Sequence, residues 1–457
     1  MKAKFLTTVL LATSISTVAN ADSIFEAMSM SYETNPDLRA QRAYLRSVDE
    51  NVSIAKSGYR PNVYLQGKYA NADNHSSSTN SATIAAQGLD NRTTTVGAQV
   101  VQPLFSGLST VNSVKAADSY IRSEQENLNN VEQQILLSAA QAYLNVLRDA
   151  MIVEIQKNNE HLLKKRLDET KERFNVGELT MTDVSQSEAR YSRAKSGRIT
   201  AEGDLEASRS NYIRIVGAEP EELEEPTAII AMLPDKIDEA ISYAKENNFA
   251  VRSAKHVMES KGHEVDANKG ALMPQVNFSA GATTSKAKIQ GPQNDGDIDS
   301  FQWGVDATVP LYSAGEDRAK IRQAKYQKWQ AQELIMSAER QAISDVTSYW
   351  EYVLANKASI GAIASQIKAN EIALDGVQKE EAVGNRTVLD VLDAYQELLN
   401  SNVEEVKART NYYLSSMQLL LAMGKFTAQD LQLNVDHYDA KKHYKDTRDK
   451  LFTLSTD

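Results

Sequence analysis

The sequence contains no cysteine among its 457 residues. Without cysteine the chain forms no disulfide framework and carries no lipid anchor on an N-terminal cysteine. After the shorter apolar run near its start, no stretch reaches the roughly 18 uninterrupted apolar residues that a membrane-spanning helix requires. If the protein crosses a membrane, we therefore expect it to do so with strands.

Proline is scarce and unevenly distributed. The chain has 9 prolines, with none from Leu104 to Glu219 and none from Leu311 onward. A proline inside a helix costs about 3 kcal/mol, so both proline-free stretches permit very long helices. A continuous helix from Ser106 to Asn175 would measure about 100 Å, far more than a compact domain requires.

Catalytic and cofactor motifs are missing as well. The chain has no glycine-rich phosphate loop, no His-Glu-x-x-His and no Gly-x-Ser-x-Gly. Its 6 histidines are scattered. None of its carboxylates stands isolated in an apolar segment, the setting that raises a pKa for acid–base catalysis. We expect no enzyme, no cofactor and no metal site.

The start of the chain reads as a secretory signal peptide. It has a basic beginning, an apolar run and a small-residue cleavage site, carried by Lys2, Lys4, the segment Phe5 to Val18, and Ala19-Asn20-Ala21. This predicts export beyond the inner membrane. The formal net charge of -11 argues against nucleic acid as a partner.

The rest of the chain is one unit present twice. A shift of 207 residues superimposes helical landmarks without a gap, placing Pro103 on Pro310 and Gly217 on Gly424. Before the strands the shift is 213 residues, which places Pro61 on Pro274. Such a repeat predicts one architecture built from duplicated halves.

The repeat defines the expected organisation. A signal peptide at 1–21 is followed by a first repeat at 22–217, with strands at about 62–70 and 94–104 and a helical hairpin at about 106–217. A linker at 218–235 leads to a second repeat at 236–424, with strands at about 275–284 and 300–310 and a helical hairpin at about 313–424. A tail occupies 425–457. We expect one helix from Asp22 to about Tyr59. The charged tail from about Asn434 is expected to lie outside the helical barrel or to be partly disordered.

The four predicted strands alternate with period two. In the second half, one face would carry Val276, Phe278, Ala280 and Ala282 together with Phe301, Trp303, Val305, Ala307 and Val309. Alternation alone fits a soluble half-buried sheet, but export and strands of about ten residues favour a transmembrane barrel. Four strands cannot close one. Three chains with twelve strands form the smallest ring with an open lumen.

The helical stretches carry heptads and two turns. Apolar residues recur every seven positions, as in Val114, Ile121, Leu128, Ile135 and Ala142, which predicts coiled-coil packing. Fold-back turns are predicted at Asn175-Val176-Gly177 and Ala382-Val383-Gly384, where glycine adopts the left-handed conformation. Thr180 or Thr182, and Thr387, are candidate caps of the returning helices.

Asp390 and Asp393 stand three apart just after the second turn, so they share one helix face. Aspartates in a first helical turn usually serve as dipole partners. In a trimer, however, these two would form stacked rings of carboxylates at the end of a helical tube.

These motifs together resemble the TolC family of outer-membrane channel proteins, especially its type I secretion branch. The resemblance spans Asp22 to about Leu433. It rests on the strand starts Gly-Tyr-Arg-Pro-Asn-Val and Leu-Met-Pro-Gln-Val, the strand ends Gln-Pro-Leu-Phe-Ser-Gly and Val-Pro-Leu-Tyr-Ser-Ala-Gly, the turn Phe-Asn-Val-Gly, and the run Val388 to Ala394.

The resemblance implies a homotrimer whose twelve-stranded barrel lies in outer-membrane lipid and continues as a periplasmic α-helical barrel. It implies a periplasmic adaptor and an inner-membrane ABC or proton-driven transporter as partners, with proteins or toxic small molecules as cargo. Asp390 and Asp393 would narrow the entrance, and Thr182, Asp183 and Arg386 would hold it shut. Glu381 stands where the best-known member has a tyrosine. The adaptor would dock at Gly177, Glu178, Leu179, Gly384 and Asn385.

The sequence leaves one alternative open: an exported coiled-coil scaffold or fibre protein whose alternating segments form a soluble cap. The two hypotheses differ in where the side chains of Phe278, Phe301, Trp303 and Val305 point.

Overall fold

The structure, a computed structural model, describes residues 23–74, 89–221, 223–289 and 296–450. The predicted signal peptide, the centres of both predicted strand-connecting loops and the end of the predicted tail lie outside these ranges. The elements are α1 Ile24–Thr34, α2 Pro36–Lys56, β1 Asn62–Asn74, β2 Leu89–Ser106, α3 Ser109–Asn175, α4 Met181–Val216, α5 Ile237–Asn247, α6 Phe249–Lys269, β3 Gln275–Ile289, β4 Gly296–Thr308, α7 Glu316–Ala382, α8 Val388–Met423 and α9 Ala440–Thr447.

The four strands form one antiparallel sheet in the order β1-β2-β3-β4. Most strand ends lie beyond the expected bounds: β1 continues to Asn74 and β3 to Ile289. The extensions are rich in Asp, Asn, Lys and Ser, which hydropathy assigns to loops. The ladder is made by the backbone, however, so polar side chains do not end it. β4 instead stops at Thr308, two residues before the expected end.

The long helices match in length between the two halves. α3 and α7 have 67 residues each, and α4 and α8 have 36 each. Gly177 and Gly384 adopt φ of 84° and 82° in the turns between them. Thr180, not Thr182, caps α4, and Thr387 caps α8. No helix in the described part of the chain has the length and hydropathy needed to span a membrane.

The expectation of a single helix from Asp22 to about Tyr59 is wrong. The structure has two helices there, α1 and α2, which are separated at Asn35. Asn35 ends α1, where its backbone N–H donates to Ser31. Its side-chain oxygen then accepts from the backbone N–H of Asp37, at 2.9 Å. Pro36, which lacks an N–H, starts α2 in the position where helices tolerate proline.

The described residues form two compact units, each drawing on both repeats. One contains the stretch up to Gln41, Asn129–Asn248 and Arg340–Tyr438. One cluster of buried apolar side chains in it joins α5, α7 and α8 through Ala240, Ala244, Val346, Val353, Tyr412, Leu419, Ala422 and Met423. The other contains Arg42–Leu128, Phe249–Glu339 and the stretch from Asp439, and includes the whole sheet.

The described part of the C-terminal tail contains the helix α9. Within the second unit, α9 packs Tyr444 against Val48, Val52 and Ile121. The Tyr444 hydroxyl donates to Asp118 at 2.7 Å. Apolar and polar side chains of the segment therefore contact partners on α2 and α3. The high charge of the segment gave no indication of these contacts in the sequence.

A hydrogen bond between a buried aspartate and a histidine fastens this segment. Asp49 of α2 is fully buried, and its Oδ2 lies 2.8 Å from His443 Nδ1. Burial raises the pKa of Asp49, and the hydrogen bond with His443 opposes that shift. Removing the imidazole would leave a buried carboxyl group without this partner, which is costly in a protein interior.

We therefore expect His443→Ala to release α9. The lost contact should cost about 2 kcal/mol, seen as roughly 30-fold faster amide hydrogen exchange in peptides covering residues 440–450. His437→Ala, at an exposed position of the same tail, is the matched control. Equal protection in the two variants would show that this pair does not hold the segment.

Candidate functional site

One face of the sheet carries apolar side chains from all four strands. The register places Phe278 opposite Val305, Ala280 opposite Trp303 and Ala282 opposite Phe301. Side chains on directly opposite residues share a face. Phe301 is 73% exposed and Trp303 69% exposed. The neighbouring Gln302 lies on the other face, with Asn277, Ser279, Gly281 and Thr283.

The first hairpin continues this face. Val63, Leu65 and Tyr69 of β1 are on it, with exposed fractions of 70%, 78% and 69%. Large aromatic and aliphatic side chains pointing to the outside of a sheet are the arrangement of a lipid-facing barrel wall, whereas a soluble cap would cover them.

The second candidate region is the helix tips, where α3 turns into α4 and α7 into α8. A small apolar cluster holds the two hairpins together beside the turns. It consists of Leu163, Ala194, Val388 and Leu392, with Leu179 and Tyr395 packed against it. Gly177, Glu178, Gly384 and Asn385 stay exposed around the turns.

Glu381, at the end of α7, is buried at these tips with an exposed fraction of 5%. It accepts hydrogen bonds from two arginines of α3, Arg166 at 2.6 Å and Arg173 at 2.5 Å. Burial acts to raise the pKa of Glu381, but the hydrogen bonds from the two arginines outweigh it and hold the pKa below its ordinary value of 4.5. An ionised carboxylate therefore ties the two hairpins together.

Asp390 and Asp393 lie one turn apart on α8 but have different surroundings. Asp390 forms a capping box with Thr387, accepting from its backbone N–H at 2.9 Å and its hydroxyl at 2.8 Å. These bonds lower the pKa of Asp390. Asp393 pairs with Arg190 of α4 at 2.5 Å. The two aspartates therefore differ in their contacts within one chain.

The other predicted gate residues do not meet within one chain. Asp183 forms the capping box of α4 with Thr180. Arg386 pairs with Glu380 at 2.9 Å and is exposed, as is Thr182. Glu178 accepts from Arg173 at 3.1 Å. Contacts between Arg386 and Thr182 or Asp183 would require a neighbouring copy.

The sequence analysis missed Arg166, Arg173 and Arg190. Glu381 lies 208 positions along the chain from Arg173, and Asp393 lies 203 positions from Arg190. No motif spacing links residues so far apart. The position of Glu381 offered one signal, because it falls at the end of a helix that faces a second hairpin. A lone carboxylate buried there would need a cationic partner.

Comparison with known proteins gives a consistent result. The family described as outer membrane efflux protein matches residues 27–218 and 240–425, which correspond to the two repeats. The outer membrane efflux protein BepC of Brucella suis biovar 1 (strain 1330) is 35% identical over 442 residues, covering 96% of this chain and 93% of BepC. The outer membrane protein TolC of Escherichia coli (strain K12) is 23% identical, covering 91% and 85%.

Solved structures share the fold at low identity. The crystal structure of the outer membrane protein VceC from Vibrio cholerae matches with a TM-score of 0.71 and 17% identity, covering 88% of this chain and 96% of VceC. A likeness at this level concerns the backbone architecture alone.

The Glu381 contact generates a prediction about the tips. We expect Glu381→Gln to remove the charge and weaken two charge-assisted hydrogen bonds, at a cost of about 2 kcal/mol. Amides near residues 376–392 should exchange roughly 30-fold faster. Glu380→Gln, which changes the adjacent exposed carboxylate, should leave exchange nearly unaltered because exposed pairs contribute little.

The pH dependence gives a second readout of the same variant. Because the pKa of Glu381 is lowered in the folded protein, its stabilising effect is present above its ordinary value of 4.5 and is lost as pH falls through the lower folded value. Protection of the tip amides, corrected for the intrinsic pH dependence of exchange, should therefore fall more steeply in acid in the parent than in Glu381→Gln, in which Asp390 still titrates. The same acid response in both proteins would contradict this assignment.

Proposed function

Because the chain belongs to the outer membrane efflux protein family, we propose that it works as a homotrimer whose twelve strands close a barrel in the outer membrane. The protein is an outer-membrane exit duct of the kind used for efflux and secretion. The observation that carries the trimer is the sheet: it has one exposed apolar face, but its two outer strands, β1 and β4, leave both edges open.

Open edges are not tolerated in lipid. A backbone N–H or C=O left unpaired there costs several kcal/mol, so strands span membranes only in closed barrels. One copy supplies four strands, and three copies supply twelve, enough for an open lumen. Three sets of helical hairpins would then line the periplasmic part of the conduit.

We further propose that a periplasmic adaptor and an inner-membrane ABC or proton-driven transporter complete the export path. The adaptor would bind the helix tips at Gly177, Glu178 and Leu179 of the first turn and at Gly384 and Asn385 of the second. In support, these residues are exposed except for Leu179, which is half-buried, and each returning helix starts at a satisfied cap. Exposed turns between capped helices suit a docking surface.

Asp390 and Asp393 are proposed to form the constriction at the periplasmic entrance. Contacts between Arg386 of one copy and Thr182 or Asp183 of the next would keep it closed, and Glu381 would fix the hairpins on which these residues stand. The supporting observation is charge: the pKa of Asp390 is lowered by its hydrogen bonds to Thr387, so its carboxylate stays ionised.

The scaffold alternative explains the helices but not the sheet. A soluble cap would have no reason to expose Phe301, Trp303 and Leu65 on one continuous face. The relatives with matching length are outer-membrane proteins. We therefore retain the duct as the function.

Trp303→Asp should block assembly into the membrane, because a carboxylate on the lipid face costs on the order of 2 kcal/mol per copy at mid-bilayer. Gln302→Asp is its matched neighbour on the opposite face and should assemble normally. The measurement is the amount of heat-labile oligomer extracted from salt-washed outer membranes. Equal yields from the two variants would exclude a lipid-facing role for Trp303.

The constriction is tested by conductance. Asp390→Asn with Asp393→Asn keeps the shape of both side chains while removing their charge. Single channels in a planar bilayer should lose cation selectivity and lose block by di- or trivalent cations added on the periplasmic side. Asp375→Asn, which removes an exposed carboxylate of α7, serves as the control. A double variant that keeps the parent's block would place the constriction elsewhere.

A further inference from the structure

The two strand hairpins are copies of each other in register as well as in sequence. In the first, Leu65 lies opposite Ala98. In the second, Phe278 lies opposite Val305. These pairs are related by the same shifts that relate the sequences, 213 residues for the first strand and 207 for the second. The duplication therefore copied the backbone pairing along with the chain.

The junction between the hairpins has no second example within the chain. β2 pairs with β3, and Ala98 lies opposite Ala282. The repeat counterpart of β2 is β4, and the counterpart of β3 is β1, but these two strands are the opposite edges of the sheet. A copy of the β2–β3 junction can form only between β4 of one chain and β1 of another.

β4 ends earlier in the repeat than its counterpart β2 does. The last residues of β2, from Gln102 to Ser106, pair with β3 and not with β1. Their counterparts run from Val309 to Ser313 and lie beyond the end of β4 at Thr308. Leu311 and Tyr312 there are 90% and 83% exposed.

We infer that β4 pairs with β1 of a second copy in the register of β2 and β3, so that Val305 lies opposite Tyr69. The inference rests on the proposed homotrimer and specifies how its copies join. The same shifts place Ala307 opposite Gly67 and Val309 opposite Leu65. The segment from Val309 to Tyr312 becomes strand when the second copy binds.

The side-chain pattern supports this register independently of the repeat. Val305 and Ala307 are on the apolar face of β4, and Val309 continues their alternation just beyond its end. Their proposed partners are on the apolar face of β1. A slip by one residue would place Tyr69 opposite Gly304 or Asp306, which belong to the polar face. Such a slip would reverse every side chain of the neighbouring chain relative to the lipid.

The contact between β2 and β3 cannot be repeated in full between two copies at the end of β2 next to Gly107. Gly107 approaches Gly270 so closely that a Cβ on Gly107 would lie 2.2 Å from the Gly270 carbonyl oxygen. Their counterparts are Ala314 and Ser57, which both carry a Cβ. The backbones of two copies must therefore stand further apart there, and the copied contact ends before Ala314.

Disulfide crosslinking tests the register, and the absence of native cysteine leaves no background. Tyr69→Cys with Val305→Cys should form intermolecular disulfides, because directly opposite Cα atoms lie about 4.5–5.5 Å apart, within disulfide range. A non-reducing gel of protein oxidised in outer membranes should show covalent dimers and trimers. Gly67→Cys with Ala307→Cys repeats the test at a position where the glycine has open space.

Two further pairs calibrate the result. Ala98→Cys with Ala282→Cys is the counterpart pair within one chain and should close inside the monomer. Tyr69→Cys with Phe301→Cys is displaced by four residues, about 13 Å along the strand, and should not crosslink.

The outcomes separate the register from the trimer. Crosslinking through position 301 but not 305 would overturn the register and leave the trimer intact. A trimeric mass for the parent protein with no crosslink at either Tyr69–Val305 or Gly67–Ala307 would overturn the β4–β1 pairing. A monomeric parent in detergent and in membranes would overturn the proposed trimer itself, and the pairing with it.

Discussion

The structure depends on one constraint, the need of each backbone N–H and C=O in lipid for a partner within the protein. A single copy meets it inside its four-stranded sheet but not at the outer edges of β1 and β4. Duplication offers a simple solution, because two halves with the same hairpin register also share the geometry needed at a junction. The sheet therefore specifies its own continuation.

The same duplication shapes the helices, but not all of their charges. The capping pairs are duplicated: Thr180 with Asp183 in the first repeat, Thr387 with Asp390 in the second. Glu381 and Asp393, in contrast, have Phe174 and Gln186 as their counterparts. Caps are required wherever a helix starts, so both halves keep them. The carboxylates of the ionic contacts that join the hairpins at the tips therefore stand on the second hairpin alone.

Local patterns predicted the long helices and the four strands but missed the break at Asn35 and the helix α9. They did not predict the long-range contacts. Period-two alternation predicted that Phe278, Phe301 and Trp303 share a face, and the register confirms it. Glycine in the turns predicted the fold-backs. The pairing of Glu381 with Arg173 and the docking of His443 on Asp49 join residues hundreds of positions apart. Such contacts depend on packing, which leaves no spacing in the sequence.

The asymmetry of the tip aspartates follows from these contacts. Asp390 is bound to the start of its own helix, so its charge moves with α8 and changes little when neighbouring helices move. Asp393 is partly neutralised by Arg190, which stands on α4. Any motion that separates α4 from α8 breaks that ion pair and leaves Asp393 with its full charge. The charge at the tip is thus coupled to the spacing of the hairpins, while the Glu381 contact with α3 resists a change in that spacing.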